Sequence, residues 1–593
     1  MVKTPLSQVW ELESIFLGGS QSEKFQLFLD TLQQNIVDLV RKIELFDTLA
    51  LEKDKLSLLV DQTQVINRNL KEAESFTSCL TAQDQHDKWA VTLAAQVKSL
   101  TATFESTLVK LDRCFANITD ENWTALLQMP NLRAVSFPLT ERRKNALEKM
   151  FPEQEMIVND LAIDGYHGWS NLYNTAVSLF SLSYEEKGKT VQLSVGQASN
   201  KLHHPIRAVR ESVFAAWETS WSNQAEYCAN ALNHLGGFRL QVYKHRKWDS
   251  IHKEPLAINR MSAETLQSMW TAVERNRTFL LDYFAKKATL LGVDRLAWHD
   301  VEAPLGSVQQ YIPYDEGAAL VIQQFQQFGT KLAKFAEQAF IKQWIEVENR
   351  GNKRPGGFCT TFPASKQTRI FMTYDGTMNN VSTLAHELGH AFHQYVMDDL
   401  PDLAQNYAMN VAETASTFAE RIVSDAAIRT VTDRATKLVL LDDKIQRSVA
   451  FLMNIHARFL FETWFYEERR KGIVHADRLN ELMLTAQKTA YHDALGSYHP
   501  HFWASKLHFY ITEVPFYNFP YTFGFLFSNS VFERALQSGD QFEDQYIALL
   551  RDTGVMSAED LALKHLQADI RSCEFWESTL IPLKNDVQQF VTL

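Results

Sequence analysis

In this chain of 593 residues, the spacing richest in chemistry is His386-Glu387-x-x-His390, the HExxH pattern. Residues four apart on a helix share one face, one turn apart. Both imidazoles can therefore reach a single metal ion, and Glu387 flanks them where it can work on a water held there. Zinc asks for a third protein ligand and keeps one position open for water. His393 shares the face of His386 but lies about 10 Å further along the axis at 1.5 Å per residue, and zinc–nitrogen bonds are only about 2 Å. It is a poor ligand. The longer pattern HExxHxxGxxH is also broken, with valine at position 396. The third ligand is expected from a second element, residues 409–422, helical in pattern and following the turn-like stretch 398–406. An antiparallel return would bring its early part, and so Glu413, to the histidines. Glu420, on the same face, is expected to accept the far N–H of a ligand histidine. Asp398, Asp399 and Asp402 sit in the turn and are poorer choices. One zinc ion per chain is expected, although affinity order and availability leave manganese and cobalt open.

The elements that must hold these groups are mainly helical. Glycine and proline number only 22 and 15, about half the usual share, so long helices with few connections are expected. Leu32, Ile36, Leu39, Ile43 and Phe46 recur at helical steps, as do Leu93, Val97, Leu100, Phe104, Leu108 and Leu111, and both sets read as core-facing stripes. For the HExxH helix, Asn379 or Asn380 is the expected N-cap, and Leu384, Leu388 and Phe392 supply an apolar face. Gly389 costs about 1 kcal/mol against alanine and marks a place where another backbone or the metal comes close. Residues 129–146 carry two prolines and read as a boundary, with Arg142, Arg143 and Lys144 as a solvated helix face. A run at 369–374 reads as a strand, with 356–362 as its partner. Such an edge can hold an extended peptide by main-chain bonds, with Gly356 and Gly357 admitting the substrate backbone.

Composition excludes other classes. A net charge of −12 argues against a nucleic-acid partner, and no apolar run is long enough for a membrane span. Five scattered cysteines form no CxxC pair, so a cysteine zinc site or dithiol redox motif is not supported, and the sparse set suits a reducing compartment. The opening residues lack the apolar run of a signal peptide, so a cytoplasmic location is expected. No base is identifiable that would make Cys359 a nucleophile, and His203-His204 before Pro205 reads as a helix start.

HELGHAFH, preceded by RIFMTYDGT and followed by AETASTFAE, resembles the oligoendopeptidase F branch of the thimet oligopeptidase-like zinc peptidases. The early WELESIFLGG and the late LHFYITEVPFYNFPYTFGFLFS resemble it too, so the likeness spans nearly the whole chain. The resemblance implies a mainly α, two-lobed fold with a deep channel and a small sheet beside the HExxH helix. It implies an N-terminal helical region over 1–130, a helical connection over 131–200 and a catalytic domain over 201–593. It places His386, His390 and Glu413 on zinc, with Ser416 and Glu420 completing the glutamate-helix pattern. It also assigns hydrogen bonding of the oxyanion to His508 and Tyr517, and, less directly matched, Tyr521, work a neutral imidazole or phenol can do. Tyr510, in the same aromatic stretch, is expected to contact substrate, against the alternative of an aromatic core stripe.

The expected activity is a zinc metalloendopeptidase that cuts oligopeptides internally, with Glu387 as general base. A peptidyl-dipeptidase or carboxypeptidase-type trimming enzyme is the alternative within enzymes, and a peptide-binding homologue that does not hydrolyse is the alternative outside them. Oligomeric state is open.

Overall fold

The computed structural model of the chain describes residues 5–46, 52–186, 188–306, 311–539 and 542–593. Helices dominate, with two small sheets among the described residues. Few glycines and prolines permit long helices: Lys53–Gln83, Lys88–Asn117 and Arg207–His245 run 31, 30 and 39 residues. The stripes face inward as their spacing dictates. Leu32, Ile36, Leu39 and Ile43 are buried in helix Glu23–Glu44, together with Phe25 and Leu29. Leu93, Val97, Leu100, Phe104 and Leu111 are buried in Lys88–Asn117. Side-chain caps start several of these helices, Ser22 accepting from the Phe25 N–H and Asp87 from the Ala90 N–H. No helix among the described residues is long and apolar enough to cross a membrane.

The chain forms two compact units, each assembled from three stretches. The first unit takes Met1–Lys149, Gln310–Ala426 and Val531–Leu561; the second takes Met150–Gln309, Ala427–Ser530 and Ala562–Leu593. Consecutive stretches such as 1–130, 131–200 and 201–593 do not coincide with either unit.

In the first unit, helices from the N-terminal stretch share one apolar core with Phe362 and Phe371 of a three-stranded sheet. Strand Gln367–Phe371 lies in the middle, parallel to Ile345–Glu346 and antiparallel to Phe358–Phe362. The expected strand pair is present: the run at 369–374 is shifted to Gln367–Phe371, and its partner begins at Phe358 and ends, as expected, at Phe362. Ile345–Glu346 carries no sequence signal because two residues are too few for alternation to show. Arg142 and Arg143 are not a solvated face. Arg142 bonds Asp112 at 2.8 Å, and Arg143 donates to the carbonyls of Phe115 and Ile118 and lies over the Trp123 ring.

The second unit contains a β-hairpin, Leu182–Glu186 with Lys189–Leu193, that hydrophobic periodicity does not reveal. Its helices include Arg207–His245, Ile455–Arg469 and Ala476–Ala490, and it carries the aromatic segment that begins at Leu507.

Candidate metal centre

The HExxH helix spans Met378–Tyr395. Its N-cap is Thr377, not Asn379 or Asn380. The Thr377 hydroxyl accepts from the Asn380 N–H at 3.1 Å, while the Asn380 amide oxygen accepts from the N–H groups of Thr377 and Asp375. Asn380 thus completes a reciprocal capping box from inside the first turn. Leu384, Leu388 and Phe392 are buried on the inner face. His386 and His390 point the other way, with ring centroids 5.0 Å apart.

Gly389 explains how the second helix reaches them. A Cβ at that position would stand 2.5 Å from the Ala415 carbonyl oxygen and 2.7 Å from the Ser416 Cα. Helix Met409–Thr430 therefore lies backbone against backbone on the HExxH helix, at the one residue that carries no side chain. Its Glu413 Oε2 comes to 3.5 Å from His386 Nε2 and 3.6 Å from His390 Nε2. Two ligands each about 2.0–2.1 Å from a tetrahedral zinc stand about 3.3 Å apart, so this donor set fits zinc. Among the described residues, His386, His390 and Glu413 are the one group of three that could hold a metal ion.

The surroundings orient each donor. Ser416 Oγ donates to Glu413 Oε2 at 2.8 Å. Burial works against the Glu413 charge, but the bond and charge of His390, the charge of His386 and the Ser416 hydroxyl hold its pKa down at about 2. Glu420 Oε2 lies 3.2 Å from His386 Nδ1. A carboxylate accepting from Nδ1–H leaves Nε2 bare and facing Glu413. Glu387 is buried, and burial pushes its carboxyl up from the usual glutamate range against the charges of the two histidines.

Gly357 borders Glu387: a Cβ there would lie 3.5 Å from Glu387 Oε1 and 3.2 Å from the Phe371 carbonyl oxygen. Gly356, beside it, takes φ +93°, a backbone state that suits glycine. Both precede the edge strand Phe358–Phe362. Ile370 and Met372 give their N–H groups to Trp344 and Glu346, so the alternate residues Arg369 and Phe371 pair with Thr360 and Phe358. Cys359 and Thr361 then turn their main-chain groups outward. The Ser75 hydroxyl takes the Thr361 carbonyl at 2.6 Å, whereas the main chain of Cys359 has no outward partner among the described residues. Burial raises the Cys359 thiol pKa well above normal, with Glu387 adding to it, so the thiol is inert.

His393 is a core residue. It is fully buried, its Nε2 lies 2.9 Å from Thr553 Oγ1, and its ring stacks on Tyr407 at 4.0 Å. Tyr407 had no sequence signal, being a lone aromatic after a turn. Among the described residues His203 and His204 join no metal group; the His204 imidazole accepts from the Ile206 N–H at the start of the long helix.

The remaining expected site residues belong to the second unit. His508 and Tyr517 have ring centroids 5.3 Å apart, and Tyr517 and Tyr521 5.9 Å. Burial, then the charges of Arg458 and Lys506, pulls the His508 pKa down to about 4, so its ring is neutral near pH 7. Tyr510 departs from expectation. It is fully buried and stacks on Tyr173 at 3.6 Å, so its phenol packs in the core.

Comparison with known proteins agrees with this architecture. The family model described as Peptidase family M3 matches residues 201–580, and that described as Oligopeptidase F matches residues 115–180. Group B oligopeptidase PepB of Streptococcus agalactiae is 23% identical over 521 residues, 84% of each chain. The oligoendopeptidase F homolog of Borreliella burgdorferi is 22% identical over 549 residues, covering 89% of this chain and 85% of that one. Among solved structures, a candidate peptidase from Chlamydophila abortus superposes with TM-score 0.83 at 18% identity, covering 100% of this chain and 99% of that one. Oligoendopeptidase-F from Enterococcus faecium follows with TM-score 0.72 at 16% identity, covering 96% and 98%. At such identities the structures speak for the fold, and the family match carries the assignment: the chain belongs to peptidase family M3, in its oligoendopeptidase F branch, and is a metallo-oligopeptidase.

Proposed function

We propose that the chain is a zinc-dependent endopeptidase that hydrolyses internal bonds of short oligopeptides, with Glu387 as the general base. The convergence of His386, His390 and Glu413 beside the buried Glu387 carries this reading. The oligopeptidase and oligoendopeptidase names of the relatives support the substrate class. Zinc held by His386, His390 and Glu413 would supply Lewis acidity, bringing the pKa of water there towards about 7.

The chain's own residues do the rest. Glu387 takes a proton from water as it attacks the scissile carbonyl, holds it, and hands it to the leaving amine. Its burial, which favours the protonated carboxyl, suits that temporary custody. Glu420 keeps the His386 ring in one tautomer, and Ser416 keeps the Glu413 carboxylate turned to the histidines. The outward main chain at Cys359, with Gly356 and Gly357 ahead of it, holds an extended peptide by strand addition. His508, Tyr517 and Tyr521 donate to the developing oxyanion. The five cysteines, none of them paired, support a cytoplasmic location.

The test is a short internally quenched peptide incubated with wild type and Glu387→Gln, with and without chelator, and the products weighed. Internal cleavage that chelator stops, zinc restores and the variant lacks is expected. Release of dipeptides or single residues from one end would replace this reading with a trimming enzyme. Binding without cleavage by the zinc-loaded wild type would replace it with a peptide-binding protein.

A further inference from the structure

Tyr517 sits in an unusual turn. The residue before it, Phe516, adopts φ +52°, a left-handed conformation that is an outlier for a bulky side chain. Phe516 and Asn518 are 2% and 1% exposed, while Tyr517 between them is only partly buried. The turn therefore buries its flanks and presents its centre. Strained backbone persists only where its surroundings over-determine it, and it clusters at functional sites.

The surroundings here are one face of helix Ile455–Arg469. Arg458, Glu462 and Tyr466 are successive members of an i, i+4, i+8 row. Glu462 Oε1 accepts the Phe516 N–H at 3.1 Å. Arg458 Nη1 donates to Asn518 Oδ1 at 2.8 Å. The Tyr466 ring stacks on the Phe516 ring at 5.6 Å, and His252 meets it edge-on at 4.7 Å. The near end of the loop is held as well: the Thr512 carbonyl accepts from Tyr166 and Arg239, and its hydroxyl meets His167 at 2.8 Å.

We propose that Glu462 and Arg458 are positioning residues for Tyr517, gripping the residues on either side of it so that its phenol is fixed before substrate arrives. The inference rests on the reading of Tyr517 as an oxyanion donor. A donor stabilises a transition state best when no reorganisation is needed at the moment of reaction. A loop residue reaches that state only if the rest of the protein sets its backbone. Glu462 is buried, and that burial favours the protonated form of its carboxyl, with a pKa of about 7.

The test is a double-mutant cycle on zinc-loaded protein, with kcat, KM, zinc content and the ¹⁹F signal of 3-fluorotyrosine at position 517. Tyr517→Phe is expected to lower kcat about 10²-fold. Glu462→Leu, which removes the acceptor, should lower kcat about 10- to 100-fold at unchanged KM and zinc content. It should also shift the ¹⁹F line. Glu462→Gln keeps an acceptor oxygen and should restore both. In the Tyr517→Phe background, Glu462→Leu should change kcat no further. A folded, zinc-loaded Glu462→Leu with wild-type kcat, or one that lowers kcat equally in both backgrounds, would overturn the inference while leaving the donor reading intact. Wild-type kcat in Tyr517→Phe would instead overturn the donor reading, and the positioning role with it. Should Glu462→Leu not fold, Arg458→Met, which removes the bond on the other flank, takes its place in the cycle with the same expectations.

Discussion

The metal centre and the Tyr517 turn place side chains by opposite means. At the metal centre, all five groups that matter lie on two helices, at spacings the helix itself supplies: His386 and His390 one turn apart with Glu387 between them, Glu413 and Glu420 two turns apart. Tertiary structure brings the two helices together, backbone to backbone at Gly389, and sets Gly357 of the sheet segment beside Glu387. At Tyr517 the local sequence supplies almost nothing. The turn runs against the preference of Phe516, and its shape comes from Arg458, Glu462 and Tyr466, which lie some fifty residues upstream. A site built on regular elements is written in short-range spacing, whereas a site built on a loop is written in whatever holds the loop.

This contrast makes separable predictions. The largest effect belongs to Glu387→Gln, which should lower kcat about 10²- to 10⁴-fold while zinc content, read by elemental analysis, stays at wild type. Loss of zinc in that variant would mean Glu387 helps hold the metal and would blur the division of labour.

Gly389→Ala tests the close approach of the two helices that carry the metal centre. The added carbon meets backbone and has no flexible neighbour to displace, so overpacking of about 1–3 kcal/mol is expected, with weakened zinc binding as the helices part. Gly351→Ala, where nothing stands within 4 Å, is the control and should change neither. Denaturant melts and a zinc competition titration read both. Equal behaviour of the two variants would remove the argument for close helix approach.

Glu420→Ala should weaken zinc affinity about 10- to 100-fold, the usual cost of losing the partner behind a ligand histidine, with little change in kcat once the site is saturated. A drop in kcat at full zinc occupancy would give Glu420 a part in the reaction instead.

The smallest expected effect sharpens the other side. Glu462 has a folded pKa of about 7 against an ordinary value of 4.5. Such a group contributes fully below its unfolded pKa, and its contribution is lost as pH rises through the folded value. Wild type should therefore lose stability, relative to Glu462→Gln, between about pH 4.5 and 7, at about 1.4 kcal/mol per pKa unit at most. Melts of the two proteins across that range check the sign. Parallel curves would mean that Glu462 is ionised in the fold.

Much of the architecture is legible in the amino-acid sequence, because burial obeys helical periodicity. Leu32, Ile36, Leu39 and Ile43, and Leu93 through Leu111, point inward as their spacing requires. The errors have equally physical causes. Asn380 is a good cap residue, but Thr377 offers the same chemistry three places earlier, and only the chain path into the helix decides between them. Arg142 and Arg143 look like solvent-facing charge until Asp112 and the carbonyls of Phe115 and Ile118 are seen beside them. Tyr510 and Tyr517 lie seven residues apart in one aromatic run, and no spacing rule says that the first is stacked in the core and the second held at the turn's tip.

The chain's sequence by itself determined the mainly helical class, the HExxH face and the family to which the chain belongs, since each depends on residue types at fixed short separations. Tertiary structure alone decided that Gly389 is the crossing point of two helices, that the Cys359 main chain turns outward beside Glu387, and that Glu462 and Arg458 grip the Tyr517 turn. Those facts join residues that are far apart along the chain, and long-range pairings are set by packing and by the need to satisfy buried polar groups, which local periodicity does not encode.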